Sequence, residues 1–137
     1  MRYETPADLA AEAEIAAFAV GTTGTANKMP VHYVLDHFVV GRLGKGFFEV
    51  KDRNWQFGDG DGLYLSLFKV MAADQLRTFT GLSCFLLVRF RDRTIRWCSL
   101  DGWDKEHGVF WFGRNDRDED EPCVRFPWSA FKEVKTP

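Results

Sequence analysis

Apolar and polar positions change rhythm several times along the chain, and each change predicts an element. Thr5-Pro6-Ala7-Asp8 has the features of a helix start, with Thr5 as N-cap, Pro6 at the first helical position and an acid three residues after the cap. The Ala-rich run behind it reads as an amphipathic helix to about Val20, ended by Gly21, with Leu9, Ala13, Ala16 and Val20 as its apolar stripe. Gly21 to Asn27 is rich in turn formers and reads as a connection. Val31 to Val40 and Phe47 to Lys51 are dense in Val, Phe and Tyr and read as the strands of a hairpin, joined through Gly41-Arg42-Leu43-Gly44-Lys45-Gly46. Asp52 to Gly62 is a polar loop. Leu67, Met71, Gln75 and Phe79 recur at helical spacing and predict a second helix from Leu63 to about Phe79. Leu82 to Phe90 and Thr94 to Leu100 predict two further strands, turned at Arg91-Asp92-Arg93. The tail holds an aromatic strand (Val109 to Phe112), an acidic loop (Asn115 to Glu121) and a last short element ending near Val134. The order α-β-β-α-β-β, with short C-terminal β elements, predicts an α/β sandwich whose mixed central sheet is flanked by helices.

The hairpin carries the candidate chemistry. Tyr33-Val34-Leu35-Asp36 lies on its first strand and Phe48-Glu49-Val50-Lys51 on its second. A turn centred between Leu43 and Gly44 puts Asp36 opposite Lys51 and Phe38 opposite Glu49. Residues two apart on a strand share a face, as do directly opposed residues, so Asp36, Glu49 and Lys51 are expected on one face. Asp36 and Glu49 are then diagonal neighbours, roughly 7–8 Å apart at the backbone. Two carboxylates so placed suit a hard divalent cation, with the lysine beside an attacking water or a scissile phosphate. A one-residue slip of register would throw Asp36 to the opposite face.

Composition narrows the classes. At 137 residues and 45% hydrophobic the chain is expected to form a single domain over residues 1–137. No basic-flanked apolar stretch opens it, and nowhere do 18 apolar residues run uninterrupted, so neither an obvious secretion signal nor a membrane span is expected. Cys84, Cys98 and Cys123 form no CxxC pair and are odd in number, against a disulfide framework or a structural zinc site, so a reducing cytoplasm is the expected location. A net charge of −2 argues against a sequence-independent nucleic-acid coating protein and leaves a nuclease open.

With Asp36 on one hairpin strand, Glu49-Val50-Lys51 on the next, and this order of elements around them, the chain resembles the PD-(D/E)XK nuclease superfamily with its restriction-endonuclease-like fold. Lys28 to Asp36, Glu49 to Lys51 and Leu65-Ser66-Leu67-Phe68-Lys69 look similar to small phage- and prophage-encoded nucleases of that group. Leu35 stands where the superfamily usually has Pro. The resemblance implies a Mg²⁺-dependent deoxyribonuclease, with Mn²⁺ as a substitute metal, acting on DNA in the cytoplasm of a bacterial or phage-infected cell. It implies Asp36, Glu49 and the Val50 carbonyl as metal ligands and Lys51 as the residue assisting water or the transition state. It further implies an acid of the first helix as a ligand: Glu12, beside the apolar stripe, is preferred over Glu14. Lys69 is a phosphate contact by the same resemblance, and a homodimer is expected where two strands must be cut. The alternative is a non-catalytic nucleic-acid-binding or assembly protein that keeps the nuclease fold.

Other features carry plainer readings. Asp59-Gly60-Asp61-Gly62 lacks the further ligands of a calcium loop. Trp55 and Phe57 either stack on bases or cover the hairpin edge, the latter being favoured. Arg89 and Arg91 alternate with Val88 and Phe90 and read as the solvated face of a strand. His32, His37 and His107 show no metal-ligand spacing. The acidic run Asp116 to Glu121 would repel DNA, and Phe126 to Phe131 reads as core closure or a dimer contact.

Overall fold

The computed structural model describes residues 5–21, 24–29, 35–41, 44–103, 109–113 and 120–134. Tyr33, Val34, Arg42, Leu43, His32, His107 and residues 115–119 of the acidic loop lie outside them. Helix α1, Pro6–Val20, begins as its sequence dictates: Thr5 Oγ1 accepts from the Asp8 amide, and the Asp8 carboxylate accepts from the Thr5 amide. Its buried face is Ile15, Ala16, Ala19 and Val20, with Glu12 one turn ahead, whereas Leu9 is exposed. The stripe is therefore rotated from the expected one, so that Ile15, Ala19 and Val20 pack together against Val39, Phe48 and Leu87.

The connection expected over Gly21 to Asn27 gives way at Thr25 to a strand, β1 (Thr25–Lys28), which pairs antiparallel with β2 (His37–Gly41). Strand β2 pairs with β3 (Gly44–Asp52) in a register that matches Gly41 to Gly44 and Phe38 to Phe47. Gly41 and Gly44 are thus partners, and the register is shifted by two positions from the expected one. Phe38 faces Phe47 rather than Glu49. A shift of two positions keeps every side chain on its expected face.

After β3 the chain forms β4 (Leu63–Ser66) and helix α2 (Leu67–Thr80), in place of the single helix expected from Leu63 to about Phe79. Ser66 divides them: its hydroxyl caps the helix by accepting from the Phe68 amide. Gly81, in the left-handed conformation, ends it. This excursion is the crossover that lets β5 (Ser83–Arg89) lie parallel to β3. β6 (Ile95–Ser99) and β9 (Lys132–Glu133) complete a mixed six-stranded sheet in the order β1-β2-β3-β5-β6-β9. The expected turn at Arg91-Asp92-Arg93 is present, with Asp92 accepting from the Thr94 amide and hydroxyl. β7 (Val109–Gly113) and β8 (Asp120–Phe126) join β4 in a separate three-stranded sheet, so Asp120 and Glu121 belong to a strand instead of a loop.

Strand β3 is central and buried on both faces. Phe48 and Val50 pack with Val39, Leu87, Ile15 and Ala19 beneath α1. Phe47 turns the other way and joins Leu86, Val88, Val70 and Ala73 beneath α2, with Val124 and Phe126 of the smaller sheet. That second core is closed by Phe57, Trp128 and Phe131 around Phe90, so Phe57 is a core aromatic rather than a cover for the hairpin edge. The fold is a mixed α/β sandwich with two helices about a central mixed sheet.

Candidate active site

The central strand fixes two of the candidate residues at once. Glu49 and Lys51 are two apart on β3 and share the face opposite Phe48 and Val50. Their side chains meet, Lys51 Nζ lying 3.0 Å from Glu49 Oε2. Lys69, in the first turn of α2, reaches the same carboxylate and donates to Oε1 at 3.1 Å. Glu49 is wholly buried, and two ammonium groups offset the cost of desolvating it.

Asp36 sits just before β2, beyond the regular ladder. Its amide donates to the Phe48 carbonyl, and its carboxylate accepts from the Val50 amide at 2.9 Å. Asp36 is also wholly buried. Its other oxygen accepts from Lys28 Nζ at 3.3 Å, and the same ammonium lies 3.1 Å from Glu12 Oε2. Lys28 ends β1, and Glu12 comes from the sheet-facing side of α1. Residues from five elements or their junctions therefore converge: Glu12, Lys28, Asp36, the Glu49–Lys51 pair and Lys69.

Glu14 points elsewhere. It accepts from Arg89 Nη1 at 2.9 Å, while Arg89 also grips Asp52 with two bonds of 3.1 Å. Arg89 is buried, which corrects its reading as part of a solvated face; of the pair, Arg91 is the exposed one. The bonds to Asp52 and then to Glu14 raise the Arg89 pKa against desolvation, so this cation is locked into the scaffold and withheld from solvent.

Two features lay beyond the sequence reading. Lys28 follows the expected connection Gly21 to Asn27 and carries no expected role, and Thr25-Ala26-Asn27 offers little strand propensity to reveal that it would be aimed inward. Arg89 gave no signal of burial beyond its position at the end of an apolar strand. The cysteines are buried thiols: burial pushes Cys84 up to about 12 and raises Cys98 further, so neither supplies a nucleophile.

Among the described residues no three acidic, His or Cys side chains form a ready-made metal cage. The carboxylates of Glu12, Asp36 and Glu49 are oxygen donors of the kind a hard divalent ion takes, and each faces a lysine ammonium. Glu49 Oε2 also has two ammonium nitrogens within 3.1 Å yet no aligned hydrogen bond, so its lone pairs are poorly used. A rotating ammonium can redirect its protons toward this oxygen, so the two ion pairs hold it by charge more than by alignment.

Comparison with known proteins adds the family. A family model described as "Phage putative PDDEXK endonuclease" matches residues 1–134. Among solved structures, the Holliday junction resolvase Hjc of the archaeal hyperthermophile Archaeoglobus fulgidus is similar, with a TM-score of 0.55 and 13% identity, covering 92% of this chain and 84% of that one. At this identity the likeness is one of fold. No curated protein sequence matches the chain.

Proposed function

Because the chain belongs to the phage PDDEXK endonuclease family, whose model spans nearly all of it, we propose that it is a metal-dependent endonuclease hydrolysing phosphodiester bonds of DNA. One observation carries this reading: buried Glu49, on the central strand, has both Lys51 and Lys69 within 3.1 Å of its carboxylate. Asp36 is held alongside by the Val50 amide.

Asp36, Glu49 and the Val50 carbonyl, with Glu12 directly or through water, would hold Mg²⁺, or Mn²⁺ in its place. Such an ion, when bound, acidifies a water and neutralises charge on the phosphate oxygens. Lys51 orients the attacking water and stabilises the negative charge that grows on the phosphoryl group. Lys69 keeps Glu49 in place and offers a second positive contact to the phosphate. Water oxygen bonds to phosphorus, one ester P–O bond breaks, and the departing oxygen takes up a proton. Cutting both strands of a duplex or junction calls for two such sites, which a homodimer would supply. Three cysteines, all reduced in the fold, suit the cytoplasm of a bacterial host.

The test is point substitution with cleavage of labelled DNA as the readout. Asp36→Ala, Glu49→Ala and Lys51→Ala should each abolish cleavage while circular dichroism stays that of the wild type. Cleavage at the wild-type rate by any of the three would overturn the assignment and favour a non-catalytic nucleic-acid-binding or assembly protein on the nuclease fold.

A further inference from the structure

Among the described residues, three ammonium groups lie against three carboxylates. Lys28 bridges Glu12 and Asp36, and Lys51 and Lys69 share Glu49. A dication entering this cluster meets carboxylates already compensated in charge, so an ammonium has to withdraw for the carboxylates to ligate it. Position identifies which one. The side chain of Lys28 is 36% exposed, against 20% for Lys51 and 14% for Lys69. Lys28 also belongs to the edge strand β1, whose residues are mostly exposed, whereas Lys51 is on the central strand and Lys69 on a packed helix. A solvent-reaching lysine can swing out and hydrate its charge at little cost. The bridge it makes is also the one between the two carboxylates that come from different layers, α1 and the hairpin.

We infer that Lys28 is a displaceable internal counter-cation: its ammonium occupies the space between Glu12 and Asp36 until a divalent ion expels it. This rests on the nuclease reading above and adds regulation of the same site. Lys28 holds the two carboxylates together in the metal-free protein and competes with the metal, so it sets how much free Mg²⁺ or Mn²⁺ is needed to fill the site. Its role is positioning, exerted through Glu12 and Asp36.

Calorimetric titration of Mn²⁺ into the wild type and Lys28→Met, without DNA, tests it. Thermal unfolding in EDTA accompanies the titration. The variant should bind Mn²⁺ roughly tenfold more tightly, the scale of one charge-assisted contact that no longer has to be broken. It should also melt several degrees lower in EDTA, since buried Asp36 loses a partner. Affinity decides: binding equal to or weaker than wild type overturns the inference, whatever the melting temperature. A second reading uses the wild-type protein and so does not depend on the variant folding. Acylation of Lys28 by an amine reagent, followed by mass spectrometry, should rise several-fold at saturating Mn²⁺; unchanged or reduced labelling overturns the displacement. Wild type that binds Mn²⁺ and cleaves DNA while these tests fail leaves the nuclease standing without the displaced lysine. Wild type that binds no divalent ion removes both.

Discussion

Two glutamates two residues apart on one helix have opposite fates, and the difference is a matter of helix geometry. Glu12 lies one turn ahead of Ile15 and Ala16 on the buried face, while Glu14 projects to the rim and meets Arg89. Glu12→Gln should lower cleavage at least tenfold with little change in stability. Glu14→Gln should leave cleavage unchanged and cost at most about 1 kcal/mol, since its side chain is 68% exposed and the pair is well screened. Side-by-side kinetics and thermal melts of the two variants check this; the reverse pattern would assign the site to the wrong glutamate. Arg89→Met should be the more damaging scaffold change, by about 1–2 kcal/mol, because it removes three hydrogen bonds to charged partners that can themselves regain water. That Glu12 faces the sheet could be expected from helical spacing, although the stripe expected with it, Leu9, Ala13, Ala16 and Val20, is rotated toward Ile15 and Ala19. The Arg89 network could not, since Asp52 and Glu14 reach it from distant segments.

Elements place these residues through two small devices. Gly41 ends β2 against the last turn of α1: a Cβ there would meet Val20 Cα at 2.8 Å and its Cβ at 2.9 Å. Gly41→Ala should therefore push the helix from the hairpin, costing about 1–3 kcal/mol and reducing cleavage through displacement of Glu12; chemical denaturation alongside the cleavage assay measures both. Ser66 sets where α2 begins and hence where Lys69 stands. Ser66→Ala should cost about 1 kcal/mol, the usual worth of an N-cap, and should weaken cleavage more than that loss of stability explains. The first helix, the hairpin faces and the strand pair β5–β6 were legible in sequence because capping residues and alternation are local signals. The hairpin register, the strand β4 and the strand β1 were not. Register depends on which of several glycines closes the turn. β4 exists because the smaller sheet pairs with it, so Leu63 to Ser66, although able to continue a helix, are taken by β8.

At the scale of the whole molecule, the candidate site draws Glu12 from α1 and Lys69 from α2, the helices that cover the two cores. The order of elements sufficed to expect a mixed α/β sandwich, because a crossover helix between β3 and β5 forces a parallel pair into the sheet. It could not reveal the separate three-stranded sheet, whose strands come from distant parts of the chain. On the proposed metal-dependent reading, the cluster of buried charges couples stability to metal. Saturating Mg²⁺ should raise the melting temperature and EDTA should reverse it, with about 2.7 kcal/mol gained at a hundredfold excess over the dissociation constant. No rise for wild type, together with the same melt for Glu49→Ala, would count against a cation site. The described helices include none long and apolar enough to cross a membrane, so the apolar surface of α2 at Phe68, Met71 and Phe79 is not part of a membrane-spanning helix.

The most direct measurement is cleavage of labelled single-stranded, duplex and four-way-junction DNA in Mg²⁺, Mn²⁺ or EDTA, run beside Glu49→Ala. Cleavage of at least one substrate with either metal, lost in EDTA and lost in the variant, is the predicted result. Cleavage that persists in EDTA or in Glu49→Ala would contradict the account, as would a folded wild-type protein that cuts none of the three substrates and binds neither metal.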